Sequence, residues 1–265
     1  MASESKKGHC EVPAARMTVE LIELLGRESR AMTLTQIARK LEANSPMVLR
    51  LLRVLENQGW VRRVGAKGPY RLTPRPLHFI TRAVGTENLT AIAAPILKKI
   101  AQKTNCIAVV SVPGSQAAVC LAFASPAEAV GVSTRVGGSY YYHASAPGKI
   151  LLAYSNDAPL DEILQNPLEQ YTPNTLDAAE KLTAELVQVR RHGYAVDNEE
   201  SYRGIICLNV PLFNYQDECV ATLGISTLAF YYTIDELVES FRDTLLSAGK
   251  KISEELGYTQ EYPKS

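Results

Sequence analysis

Residues 33–57 constrain the chain most tightly, because they read as two short helices separated by a sharp break. Thr33 can cap a helix, and Gln36, three residues on, can bond back to it. Leu34, Ile37, Ala38 and Leu41 recur at helical spacing, so one face is buried. After Glu42-Ala43-Asn44, Ser45 is the expected N-cap of a second helix and Pro46 its first helical position. Val48, Leu51, Leu52 and Leu55 form the apolar stripe of that helix. At ~100° per residue, Pro46, Arg50, Arg53 and Asn57 fall on the opposite face. Two solvent-facing arginines on the helix after a tight turn suit a reader of the DNA major groove. An arginine donates two hydrogen bonds to a guanine edge, or one to a phosphate. Taken alone, the helix reads equally well as a surface helix with solvated arginines.

The following residues decide between these. Gly59 ends the helix, Trp60–Val64 reads as a strand, Gly65-Ala66-Lys67-Gly68 as a turn and Tyr70-Arg71-Leu72 as a returning strand. A helix pair followed by a small basic hairpin is a winged helix-turn-helix, whose wing cations lie along phosphates or a minor groove. The candidate DNA contacts are Thr35, Ser45, Pro46, Leu49, Arg50 and Arg53 on the helix pair, with Arg62, Arg63 and Lys67 on the wing.

Charge supports this division. The chain has 28 basic and 28 acidic residues, but residues 1–85 hold 15 Lys and Arg against 7 Asp and Glu, whereas residues 86–265 hold 13 against 21. A basic N-terminal part on an acidic body suggests a nucleic-acid module joined to a regulatory domain. The length, 265 residues, suits two domains, the larger able to bury its own core. No apolar run is long enough to span a membrane, and Met1–Lys7 has no apolar core of a signal peptide, so the expected compartment is the cytoplasm. The five scattered cysteines, Cys10, Cys106, Cys120, Cys207 and Cys219, contain no close pair, which fits a reduced compartment and speaks against a structural zinc site. No metal and no cofactor is expected.

Residues 1–12 read as a polar disordered tail and 13–74 as the winged domain, its first helix running from Pro13 to Glu28 with Met17, Leu21, Leu24 and Leu25 inward. Residues 75–85 read as a linker helix with Leu77, Ile80 and Val84 along one side, and 86–265 as a second domain for effector binding and oligomerisation. In it, a helix carries Leu89, Ile92, Ala93, Ile96 and Ile100, with Pro95 as a candidate kink. Cys106–Val112 and Ala117–Phe123 form a hairpin about Pro113–Gln116, and Val130–Val136 alternates like another strand. Helices are expected over Ser145–Ser155, Asp177–His192 and Ile234–Leu256, and long strands over Ile205–Phe213 and Cys219–Leu228. Helices flanking a largely antiparallel sheet make the fold α+β.

Four stretches in order carry a family resemblance: Leu51–Gly59, His143–Lys149, Gly193–Glu200, and Cys207–Phe213 with Ala221–Ser226. Over residues 13–257 the chain resembles the IclR family of transcriptional regulators. The resemblance implies a winged helix-turn-helix, a linker helix, a GAF-like effector domain, and homodimers that often pair into dimers of dimers. It implies a double-stranded DNA operator and a small-molecule effector as partners. It carries the effector site onto Ala146, Pro147, Asp197, Ile205, Cys207 and Ser226. The start of a helix at Ser145–Gly148 favours a carboxylate. Asp197 opposes an anion unless it is protonated or accepts from a ligand hydroxyl, so the expected effector is a small organic acid, carboxylic or aromatic, that also bears a hydroxyl. Pro147 removes one N–H from the turn, and Gly224 stands where some members carry a second pocket hydroxyl, which would leave room for a bulkier ligand.

Plainer readings stand beside these. Cys207 and Ser226 also read as small core residues, Asp197 and Glu200 as local caps, Glu199 as solvated, Lys149 and His143 as structural, and at least two of Tyr140, Tyr141 and Tyr142 as ordinary strand residues. A cysteine-dependent enzyme using Cys207, His143 and Asp197 lacks a nucleophile signature, since Cys207 sits mid-strand. A protein-interaction scaffold is the other alternative, against which the basic N-terminal part argues.

Overall fold

The computed structural model describes residues 12–28, 30–65, 68–76, 87–126 and 132–263. The chain divides into two compact units between Gly85 and Thr86. The expected polar tail, except Val12, and the expected linker helix beyond Pro76 lie outside the described residues.

The first unit packs α1 (Pro13–Arg27), α2 (Leu34–Lys40) and α3 (Ser45–Asn57) against a two-stranded hairpin, β1 (Val61–Arg63) with β2 (Tyr70–Leu72). Leu21, Leu25, Ile37, Val48, Leu52 and Leu55 fill its core, each a position where the 3.6-residue period returns an apolar side chain to the same side. The capping box at α2 is present: the Gln36 N–H donates to Thr33 Oγ1 at 3.3 Å, and the Thr33 N–H to Gln36 Oε1 at 2.8 Å. The cap of α3 is one residue earlier than the sequence suggests. Asn44, not Ser45, has the extended backbone, and its Oδ1 accepts from the Met47 N–H at 2.9 Å, leaving Ser45 and Pro46 in the first turn. Asn and Ser are near-equal caps, so composition does not separate them. Met32 bridges Tyr70 through two backbone bonds, of 2.7 and 2.8 Å, tying the hairpin to the entry of α2.

The second unit is a six-stranded sheet in the order β5-β4-β3-β8-β7-β6, with every pairing antiparallel. Its strands are β3 (Ile107–Val112), β4 (Ala118–Ala124), β5 (Ser139–Tyr140), β6 (Ala195–Asn198), β7 (Ile205–Phe213) and β8 (Cys219–Leu228). Helix α4 (Glu87–Thr104, with Pro95 inside) and the C-terminal α8 (Ile234–Glu255) cover one face, against Ala108, Val110, Ile206, Leu208, Leu223 and Ile225. The alternate residues of the same strands face α5 (Ala146–Tyr154), which is itself backed by α7 (Ala179–His192); the short α6 (Leu160–Gln165) precedes α7.

The strand expected at Val130–Val136 is not formed by its described residues, 132–136. The chain turns at Gly137-Gly138, which exchange backbone bonds with Cys120, and only then pairs with β4 as Ser139–Tyr140.

Helix α5 is buried along almost its whole length, from Ala146 to Ala153. Its close seat has a clear local cause at Gly148, where an added Cβ would meet the Tyr141 and Tyr142 carbonyl oxygens. The absence of a side chain lets the first turn of the helix press against the segment that leads into it.

Candidate functional site

Two regions gather the residues singled out by sequence. The first lies on the winged unit. Ser45, Pro46, Arg50, Arg53 and Asn57 are all exposed on α3, while Val48, Leu52 and Leu55 are buried beneath. A groove running from the start of α2 to the hairpin brings together Thr35, Leu49, Arg53 and Arg63. On the hairpin, Arg62 pairs directly with Arg71, and both are exposed. Like charges opposite one another destabilise a bare hairpin, so this pairing favours an anion lying across the wing. Only the register shows Arg71 beside Arg62.

Arg63 is placed differently from Arg62. Its guanidinium lies 4.9 Å from the centroid of the Tyr70 ring and its Nε 3.8 Å from Glu56 Oε2, and it is only partly exposed. It packs the hairpin against α3 rather than standing out from the wing. Lys67 lies outside the described residues.

The second region is a cavity of about 90 Å³ between the central strands and the turn entering α5. Pro147, Asp197, Ile205, Cys207 and Ser226 border it, which is five of the six positions nominated for an effector. Ala146 does not. Its side chain points into the core with Ile150 and Leu151, because the helix turns it away by one position from Pro147. Tyr140 and Tyr141 both flank the cavity, whereas Tyr142 is buried in the core with its hydroxyl donating to Gly114 O at 2.7 Å. Tyr142 is thus a core residue, in the turn after β5 and not in a strand as the plainer reading had it.

The floor of the cavity is a set of three rungs. Ile107, Ser226, Cys207 and Asp197 align across the sheet in the first, Val109, Gly224, Asn209 and Ala195 in the second, and Ser111, Thr222 and Pro211 in the third. Side chains two apart along a strand share a face, so Cys207 and Asn209, or Val109 and Ser111, look the same way. Asn209 and Ser111, which sequence reasoning passed over, join the nominated residues on the cavity for this reason.

At the first rung, Cys207 Sγ and Ser226 Oγ lie 2.7 Å apart. Burial, and then the Asp197 charge, push the Cys207 thiol far up, so it is a neutral hydrogen-bonding group and not a thiolate. His143, the base of the enzyme alternative, has its Nε2 2.9 Å from Glu169 O. Asp197 is 2% exposed. Its Oδ1 accepts from the Glu200 N–H at 2.7 Å and the Ser201 N–H at 3.3 Å, so it caps this turn while bordering the cavity. Burial, and then the charge of Glu200, push its carboxyl up to about 6. Glu200 in turn holds buried Lys149 on α5, with Nζ–Oε distances of 2.8 and 3.0 Å, and Glu185 on α7 adds a third contact at 3.0 Å. Burial works against the Lys149 charge, but Glu200 and Glu185 outweigh it, and the ammonium is held above its ordinary value. Lys149 is thus structural, as its sequence position suggested. Glu199 is not simply solvated: its Oε2 accepts from the Gly204 N–H at 2.6 Å.

The turn entering α5 offers less to an anion than its sequence implies. Ser145 Oγ takes the Gly148 N–H at 3.1 Å, Ser145 O takes the Lys149 N–H at 2.9 Å, and Pro147 has none. Of this turn, the Ala146 N–H is left. Gly224 likewise does not enlarge the cavity, because the Asn209 carboxamide fills the space where a side chain at 224 would stand.

Comparison with known proteins identifies the family of both units. A model of bacterial transcriptional regulator IclR C-terminal domains matches residues 81–254, and one of the IclR helix-turn-helix domain matches residues 15–65. The HTH-type transcriptional regulator XynR of Escherichia coli is 27% identical over 251 residues, spanning 93% of this chain and 98% of the relative. The crystal structure of an IclR transcriptional regulator from Alicyclobacillus acidocaldarius superposes with a TM-score of 0.74 at 29% identity, over 92% of this chain and 98% of that one. An IclR homolog from Microbacterium hydrocarbonoxydans, solved in complex with 4-hydroxybenzoate, shares the fold with a TM-score of 0.77 at 24% identity, over 92% and 98% of the two chains.

Proposed function

The chain belongs to the IclR family of bacterial transcriptional regulators, and from that premise we propose that it binds a specific DNA operator through α3 and the wing, with its affinity set by a small organic acid held in the C-terminal cavity. Its named relatives are regulators, not enzymes. Arg50 and Arg53 are the residues for base edges, and Arg62 and Arg71 for phosphates. Acting as a dimer, the chain would present two reading helices about one helical turn apart, or a multiple, and so would prefer a palindromic site.

The observation that carries the effector reading is the cavity with Asp197, Cys207 and Ser226 on one rung and the apolar Ile205 beside them. A carboxyl pushed up to about 6 is in part protonated near neutral pH, and a protonated or ligand-bonded Asp197 tolerates an acid beside it. The Microbacterium neighbour is solved with 4-hydroxybenzoate, a molecule with one carboxylate and one hydroxyl. A ligand alters DNA binding only if it prefers one of two conformations, since equal affinity for both shifts nothing.

The test combines selection of an operator from random duplexes with fluorescence anisotropy in the presence of hydroxylated and unhydroxylated carboxylic acids found by thermal shift. The expected result is a selected palindrome whose affinity changes several-fold with a stabilising acid. An acid that stabilises wild type and Ser226→Leu equally places the effector outside this cavity, and one that stabilises the protein without changing operator affinity removes the regulatory role.

A further inference from the structure

The cavity has a second polar end. Ser111 is completely buried, borders the cavity, and its hydroxyl has no hydrogen-bond partner among the described residues. A buried hydroxyl with nothing to bond is costly in a fold. It stands on the third rung, beside Thr222, while Asp197, Cys207 and Ser226 stand on the first. Between them, on the second rung, are Val109, the bare backbone of Gly224, and Asn209, whose Nδ2 is committed to Thr222 Oγ1 at 3.1 Å. The polar groups at the first rung bond one another or the backbone. Ser111 does not.

Resting on the reading of this cavity as the effector site, we infer that its ligand carries two polar groups at opposite ends, and that Ser111 is the specificity-determining residue for the second. The first and third rungs lie four residues apart along β3, about 13 Å at a strand rise of ~3.3 Å per residue. With a hydrogen bond of about 3 Å taken up at each end, the two polar groups of the ligand are roughly 7 Å apart. That spacing fits a benzoic acid substituted in the para position by a hydroxyl, or a hydroxy acid of similar reach. It does not fit a two- or three-carbon keto acid, which reaches one rung only. Val109 and the Tyr140 ring flank the space between the ends, as an aromatic or aliphatic spacer requires.

The probes are benzoate, 3-hydroxybenzoate and 4-hydroxybenzoate, titrated by calorimetry against wild type, Ser111→Ala and Ser226→Leu. Wild type is expected to bind the para isomer at least tenfold more tightly than benzoate or the meta isomer. Ser111→Ala should bring all three within about twofold, because the hydroxyl that bonds the para group is gone. The ligand-free melting temperature of Ser111→Ala should be unchanged or raised by about 2–4 °C, because no intramolecular bond is lost. A lowered melting temperature would mean that the hydroxyl serves the fold, and overturns the inference. If Ser226→Leu abolishes binding but Ser111→Ala keeps the para preference, the effector site stands and the role of Ser111 falls. If none of the probes binds wild type, or binding survives Ser226→Leu, this ligand class and the role of Ser111 fall together.

Discussion

Asn209 and Gly224 face each other across β7 and β8, and the Asn209 carboxamide occupies the volume that a side chain at 224 would need. The pair is a fitted unit, with the missing Cβ on one strand housing the amide of the next. Gly224→Ser should therefore displace Asn209, break its bond to Thr222 and overpack the cavity floor, at a cost of about 1–3 kcal/mol. Gly224→Ser combined with Asn209→Ala should recover most of the loss, giving a coupling of at least about 1 kcal/mol in a double-mutant cycle followed by urea unfolding. Additive effects would mean that the strands shift apart instead, and that the fit is loose.

The position of Asp197 makes stability depend on pH below about 6 and acid binding depend on pH above it. Its ordinary value is 3.8 and its value in the fold about 6. Between these the folded protein keeps a proton that the unfolded chain has lost. Stability from the protonated carboxyl is thus full at low pH, declines as pH rises from about 4 through 6, and is gone above. An anionic ligand beside it should keep its affinity up to about pH 6 and lose it above, by up to about tenfold per unit if the protonated form is required. Asp197→Asn keeps an oxygen to cap Glu200 and Ser201 but cannot ionise. Calorimetric titration of this variant between pH 5.5 and 8 should give a flat profile, and a slope like that of wild type would assign the titration to another group.

Lys149 joins three elements by its contacts to Glu200 and Glu185. Lys149→Met would leave the Glu200 carboxylate buried without its cation and should cost about 3–5 kcal/mol. Lys149→Met with Glu200→Leu should cost less than the single change, because no charge is left stranded. Thermal denaturation of the two variants checks this. A double variant as unstable as the single would show that shape, not charge, fixes the contact.

Much of this was legible because local chemistry and global pattern agree. The capping box at Thr33, the strands at Ile205–Phe213 and Cys219–Leu228, and the turn about Pro113–Gln116 all appear as their residues imply. What escaped the sequence has one main cause. Strands buried on both faces read as continuous apolar runs, so the alternation that marks a ligand-facing side is masked. Ser111 lies in such a run and Asn209 in another, and nothing in either run gives its register against the neighbouring strands. Only the pairing of Ser111 with Thr222, and of Asn209 with Gly224, brings them onto the cavity. Likewise, the inward turn of Arg63 depends on Tyr70 and Glu56, which come from other elements. Its charge alone resembles that of Arg62.

That difference gives the wing a specific test. Arg50 is exposed on α3, and Arg62 lies against Arg71 at the same level of the hairpin. Arg50→Ala should cost about 1–3 kcal/mol on a selected operator and relax preference at the base it reads, with less effect on random DNA. Arg62→Ala and Arg71→Ala should weaken specific and random DNA alike, each making the slope of log K against log salt shallower by about one unit. Arg63→Ala should leave the salt slope unchanged and instead lower the melting temperature, because its guanidinium packs on Tyr70. Anisotropy titrations from 50 to 200 mM salt separate the cases. A shallower slope for Arg63→Ala, with stability intact, would mean that its side chain leaves Tyr70 and meets phosphate when DNA is bound. An unchanged slope for both Arg62→Ala and Arg71→Ala would remove the wing from the interface altogether.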